Sequence, residues 1–272
     1  MKYIFVTGGN DGIGLALCKQ LAVDHGCYVF MGSRSLERGA AGLKSITDAN
    51  PKTASTIEVV QIDVTDDASV SAAVEVVKSK GKGLYALVNN AGVGLNAGGK
   101  VLPTNFYGPK RVSEAFLPLV TDRIVNVSSG AASMWLRNQD DSTKKLFTSS
   151  DTTWDELDAA VKKFFPSASM GGYGLSKAGL TAYTIQQAKA YPNLLCTSLS
   201  PGFIQTKMTA GYGARLTPEQ GTVSLRRCLF DDVTSGFYYG SDGLRSPLTC
   251  TRDPGTPEYG GEENPDASKY NK

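Results

Sequence analysis

The chain has 272 residues, 41% of them hydrophobic and 20% charged, which is enough apolar side chain for a sizeable core and excludes a wholly disordered polymer. Basic and acidic residues number 28 and 26, and the resulting net charge of +2 gives no electrostatic case for nucleic acid or an anionic membrane as partner. No apolar run approaches the ~18 residues of a membrane span, and the glycine turn at Gly8 arrives too early for a secretory signal peptide.

In chain order, short runs rich in Val, Ile, Leu and Phe predict strands at 3–7, 28–32, 57–63, 85–89, 124–127, 195–199 and 236–239. They lack polar alternation, as strands covered on both faces do. Between them, 13–22 places Ile13, Leu17 and Leu21 on one stripe, and 68–78 does the same with Val70, Val74 and Val77. Helices are also expected at 173–190 and 218–230. This β-α alternation predicts an α/β fold, a doubly wound parallel sheet of Rossmann type, in a single domain over 1–243. Residues 133–169 interrupt the alternation. There Thr153 and Glu156 fit a capping box, with Leu157, Val161 and Phe164 or Phe165 following at helical spacing, so an insertion carrying one short helix is expected. Residues 244–272, with four prolines and few apolar side chains, read as an irregular tail.

The first strand runs into Thr7-Gly8-Gly9-Asn10-Asp11-Gly12-Ile13-Gly14, and an amphipathic helix follows at once. Gly8, Gly12 and Gly14 let the turn tighten, and the amides from Gly8 through Asn10 to Ile13 approach a pyrophosphate at the helix N-terminus. The second strand ends in Ser33 and Arg34, with Arg38 close behind, where an NAD site usually carries an acid. A guanidinium there suits a 2′-phosphate, so NADP(H) is the expected cofactor. The five cysteines, Cys18, Cys27, Cys196, Cys228 and Cys250, include no C-x-x-C pair, which points to a reducing, cytoplasmic setting. A single histidine, His25, argues against a metal site and against a Ser-His-Asp hydrolase.

With Asn89-Asn90-Ala91-Gly92, Ser129, Tyr173-x-x-x-Lys177 and Pro201-Gly202 in this order, the chain resembles the short-chain dehydrogenase/reductase family. Within the family it is most similar to the carbonyl reductases that act as monomers. The supporting stretches are Thr104-Asn-Phe-Tyr-Gly108, Ile124-Val-Asn-Val-Ser-Ser129, Pro201-Gly-Phe-Ile-Gln-Thr206 and the long gap between Ser129 and Tyr173. The resemblance covers 1 to about 243.

Tyr173 and Lys177 stand at i and i+4 at the start of a helix, on one face. A lysine cation one turn away lowers a phenol from its usual ~10 toward working pH. The resemblance implies Tyr173 as proton donor, Lys177 as a second contact to the nicotinamide ribose, and Ser129 as the hydroxyl that polarises a substrate carbonyl. Ser128 stays open as the alternative. It further implies Asn105 as holder of a water linking the lysine to solvent. Only 15 residues separate Asn89 from Asn105, fewer than in the family, and Pro109 should bend the helix that follows. Asp63 and Val64 match the adenine contact. Asn89, Ala91 and Gly92 match the cofactor side of the sheet, and Pro201, Gly202, Ile204 and Thr206 match the nicotinamide end. Met134, Trp135, Phe203 and Met208 would suit a lipophilic carbonyl substrate. The expectation is a monomeric NADPH-dependent carbonyl reductase. A dehydrogenase running oxidatively with NAD, or a non-catalytic NADP-binding sensor, are the alternatives.

Overall fold

The computed structural model describes residues 1–271. Among them, strands β1 (Tyr3–Val6), β2 (Tyr28–Ser33), β3 (Ile57–Gln61), β4 (Leu84–Asn89), β5 (Val120–Val127), β6 (Leu195–Leu199) and β7 (Tyr238–Tyr239) form one sheet in the order β3-β2-β1-β4-β5-β6-β7. Every pairing is parallel. The seven expected strands are all present. The strand order reverses between β1 and β4, and the segments leaving their carboxyl ends part there. That topological switch point is where open α/β sheets open a binding crevice.

Helices cover both faces because the strands are apolar on both. Helix α1 (Gly12–Val23) and α2 (Leu36–Ala49) bury Leu17, Leu21 and Ile46 against Ile4, Val29 and Met31. The opposite face is covered by α3 (Asp67–Ser79) and α4 (Gly108–Phe116), through Val70, Val77, Val112 and Phe116. Phe116 sits with its ring centroid 4.7 Å from that of Phe5. Each fully buried side chain of this kind contributes roughly 1.5–3 kcal/mol.

The segment before α4 is rearranged where the short spacing called for it. Residues Leu95–Lys100 form a 3-10 stretch with Gly98 in the left-handed region, and Pro103–Tyr107 make a π turn leading into α4. An α-helix would pair the Asn105 carbonyl with the amide of residue 109, which is a proline and has none. The widened turn absorbs this conflict without a break.

The helix α5 (Gly130–Leu136) runs into the start of the insertion, which holds two further helices, α6 (Asp141–Thr148) and α7 (Trp154–Phe164), where one was expected. The capping box of Thr153 and Glu156 forms at the start of α7 as anticipated. Helix α6, capped by Asp140 through the Thr143 amide, is too short to show a period; it exists because Phe147 is fully buried under Trp135. Together these helices rest on α8 (Tyr173–Ala190), whose second and third turns are buried on every side. The chain then returns through β6 and α9 (Val223–Phe230).

The tail is irregular but tied down. Arg245 bridges antiparallel to Tyr239, which covers the free edge of β7. Its guanidinium lies between the rings of Phe237 and Tyr259, at 3.6 and 4.8 Å. The buried Arg252 pairs with Asp242 and donates to Ser246 Oγ and to the Thr256 carbonyl, each at 2.9 Å. Tyr270 is wholly buried. Lys272 lies outside the described residues.

Candidate active site

The glycine turn is built by local sterics. Gly8 and Gly12 have φ of +63° and +54°, where a side chain is strained. A Cβ on Gly14 would lie 2.3 Å from the Gly8 carbonyl oxygen and 2.5 Å from Asn90 Nδ2. Asp11 caps α1 through the Gly12 amide at 2.9 Å. Apart from the Gly12 amide, which Asp11 occupies, the start of α1 borders an open crevice.

That crevice has a volume of about 1030 Å3. Its lining takes in Gly8, Asn10, Gly12, Ile13 and Gly14 from the turn; Arg34, Arg38, Asp63 and Val64 from the ends of β2 and β3; and Ala91 and Gly92 after β4. Ser129, Tyr173, Lys177, Pro201, Gly202, Ile204 and Thr206 line the same crevice. Burial alone would raise the Asp63 carboxyl. Hydrogen bonds from the Thr65 hydroxyl and amide, with the charges of Arg34 and Arg111, hold it below the usual carboxylate range instead. The Arg34 guanidinium stands 4.0 Å from Asp63 and is itself exposed. Both arginines are thus open to an anion, and no acid stands at the end of β2.

Three residues of the expected set lie behind the wall. Ser33 is buried and its hydroxyl donates to the Ser35 carbonyl at 2.8 Å, so it shapes the turn that presents Arg34. Asn89 is buried as well, and its Nδ2 donates to Ser113 Oγ and Asn126 Oδ1, both at 2.8 Å. The neighbouring Asn90 faces the crevice in its place and donates to the carbonyls of Thr7 and Gly8 at 2.9 and 3.1 Å. In an extended chain successive side chains point opposite ways, so only one of the pair can face the crevice. Asn105 is fully buried. Its Oδ1 accepts from the Val93 amide at 2.8 Å, while its Nδ2 donates to the Val93 carbonyl at 3.0 Å and to Ser176 Oγ at 3.3 Å. The side chain clamps the loop after β4.

The chemistry-bearing groups gather where β5, α5 and α8 meet. Ser128 and Ser129 divide cleanly. Ser128 is buried with its hydroxyl donating to the Lys177 carbonyl at 3.0 Å, which fastens α8 to the sheet. Ser129 is the N-cap of α5; its Oγ accepts from the Ala131 amide at 3.2 Å and stands beside the Tyr173 hydroxyl. Lys177 is buried, and its Nζ donates to the Val127 carbonyl at 2.8 Å. Gly92 is packed between them: a Cβ there would lie 3.3 Å from Asn105 Oδ1 and 3.7 Å from Lys177 Nζ.

Burial sets the titration here. It pushes the Tyr173 phenol up, partly countered by the Ser129 hydrogen bond, and lowers the Lys177 ammonium to about 8. The lysine was expected to pull the phenol down. Its Nζ lies 6.0 Å from the ring centroid and donates to the Val127 carbonyl, and burial governs the phenol.

Residues from two loops complete the mouth. Lys207 pairs with Asp11 at 2.6 Å, and Asn96 Nδ2 donates to the Tyr212 hydroxyl at 3.0 Å. Met208 lies over Gly94. Neither bridge is legible in sequence, since their partners are 196 and 116 residues apart. Of the apolar candidates, Met208 lines the crevice and Met134 and Phe203 are exposed, whereas Trp135 packs into the insertion between Phe147 and Phe164. Among the described residues no cluster of three His, Cys, Asp or Glu side chains is placed to hold a metal, and no helix is long and apolar enough to cross a membrane.

The family model for short chain dehydrogenases matches residues 2–140. A (+)-neomenthol dehydrogenase of Capsicum annuum is 30% identical, over 88% of this chain and 95% of its own. The human protein named carbonyl reductase [NADPH] 1 is 29% identical, over 79% of this chain and 86% of its own. Among solved structures, salutaridine reductase from Papaver somniferum superposes with a TM-score of 0.77 at 27% identity, covering 88% of this chain and 99% of that one.

Proposed function

Because the chain belongs to the short-chain dehydrogenase family, we propose that it uses NADPH to reduce a carbonyl compound (a ketone, aldehyde or quinone) to an alcohol. NADPH, when bound, supplies the hydride. The chain supplies the rest. The observation that carries the reading is the half-buried phenol of Tyr173 standing beside Ser129 on the wall of a crevice whose other wall is the glycine turn.

The site fits the dinucleotide. The turn at Gly8, Gly12 and Gly14 leaves the space a Cβ would fill, and the amides of α1 suit a pyrophosphate. Arg34 and Arg38 suit a 2′-phosphate, and Asp63 and Val64 bound the adenine end. Lys177, beside Gly92, is placed to hold the nicotinamide ribose.

At the reacting carbonyl, the Ser129 hydroxyl keeps its proton free to donate, since its oxygen already accepts from Ala131. It stabilises the negative charge that develops on the oxygen. Tyr173 then delivers the proton. Burial holds the phenol protonated at neutral pH, the form an acid in the reductive direction requires; oxidation would need the phenolate. Asn105 acts at one remove, by clamping Val93 beside the lysine. The exposed Phe203, Met208 and Met134 favour a lipophilic substrate. We assign the catalytic domain to 1–243 with the tail appended. A monomer is expected, since α6 and α7 cover α8, and a cytoplasmic location follows from the five free, buried cysteines.

The test is NADPH consumption across quinones, aldehydes, keto esters and steroids. The Tyr173→Phe variant should bind NADPH normally and lose about 100- to 10,000-fold in kcat. Near-normal reduction by that variant would overturn the assignment.

A further inference from the structure

Between the catalytic serine's turn and the turn at Pro201 and Gly202 stands one hydroxyl that the reaction itself does not use. Ser200 follows β6 and is almost wholly buried. Its Oγ accepts from the Gly130 amide at 3.1 Å and from the Gly202 amide at 3.3 Å. Gly130 is the first residue of α5, directly after Ser129. Gly202 has φ of +94° and is pressed against Ser241 and Leu216. One oxygen therefore ties the turn that carries the carbonyl-polarising hydroxyl to the turn that flanks the nicotinamide end.

Both lone pairs of Ser200 Oγ are occupied by these two amides. The Tyr238 side chain on β7 stands beside Ser200 and Ser133, and the Ser133 hydroxyl donates to the Pro247 carbonyl in the tail at 3.1 Å. A buried shared acceptor fixes geometry, and removing it leaves two amides unpaired.

We propose that Ser200 is a positioning residue, holding Ser129 and the Pro201 and Gly202 turn in register on opposite sides of the reacting carbonyl. The proposal rests on the carbonyl-reductase reading above.

In the full-length protein, Ser200→Ala should lower kcat by about tenfold, the effect expected when a buried amide loses its partner. NADPH affinity should stay within about twofold, because the arginines and the glycine turn are untouched. Ser200→Thr, which keeps the hydroxyl, should restore most of the loss. In a Ser129→Ala background, Ser200→Ala should cost no more than about twofold further, since only the Pro201 and Gly202 turn is then left for it to position. An equal loss in both backgrounds, or wild-type kcat in Ser200→Ala, overturns the proposal. Backbone amide exchange by NMR gives a readout free of turnover. Gly130 and Gly202 should lose protection in Ser200→Ala while the amides of β1 and β4 keep theirs. Unchanged protection at Gly130 and Gly202 also overturns it. If the wild-type chain reduces no carbonyl, the functional reading fails, and the amide exchange then decides the part of Ser200 alone.

Discussion

The two halves of the sheet meet the crevice with opposite devices. The half from β1 to β3 works by what is missing: Gly8, Gly12 and Gly14 clear side chains away so that amides can face a ligand, and the crowding around Gly14 leaves no alternative. The half from β5 to β7 works by what is present, a set of hydroxyls: Ser128 and Ser200 buried, Ser129 and Tyr173 on the crevice wall. Backbone recognition tolerates little change in any atom of the turn. Hydroxyl placement divides labour instead, so neighbouring serines differ greatly in what they do.

The comparison is broken most severely at Gly14. A methyl there would strike the Gly8 carbonyl and Asn90. Gly14→Ala should weaken NADPH binding by about 100-fold, the ~2–3 kcal/mol of a forced backbone shift, as read by calorimetric titration. Binding within a factor of two of the wild type would show that the turn yields freely.

The serine pair sharpens the contrast. Ser129→Ala should lower kcat by about 100-fold, as loss of an oxyanion donor does, with thermal stability nearly unchanged. Ser128→Ala should do the reverse, costing about 1 kcal/mol of stability for the lost bond to the Lys177 carbonyl and changing kcat little. Equal effects on both measurements would erase the division of labour.

At the adenine end, Arg34→Asp and Arg38→Ala should each weaken NADPH by about tenfold and leave NADH within twofold, whereas Ser33→Ala should leave the preference intact. Competition binding with the two nucleotides reads this directly.

The smallest effect is in pH. Burial lowers Lys177 to about 8, so its charge is present below that pH and lost above it. The value of kcat/KM for NADPH, which reports the free enzyme, should fall as pH rises through about 8. In Lys177→Arg the cation persists at all these pH values, and that limb should vanish from the profile.

Much of this was legible before any coordinate. The strands announced themselves because parallel strands buried on both faces are apolar throughout. The glycine turn and the Tyr173 and Lys177 pair were legible because both depend on neighbours in the chain: a turn's backbone angles in one case, one helical turn in the other. The expectation of a single insertion helix failed at α6, whose eight residues owe their shape to Phe147 meeting Trp135. Ser33 and Asn89 had the right chemistry and the wrong side of the wall, since a one-residue difference in pleat decides which of two adjacent side chains faces the crevice.

The amino-acid order by itself therefore determined the sheet, the cradle and the spacing of the acid and its lysine, all of which are fixed by contacts within a few residues. Only the tertiary structure decided which serine stands beside the phenol, that Asn105 clamps Val93, and that burial governs the phenol of Tyr173. Those outcomes depend on the distances between segments that meet in space and on how much water is left between them, and neither quantity is carried by local sequence.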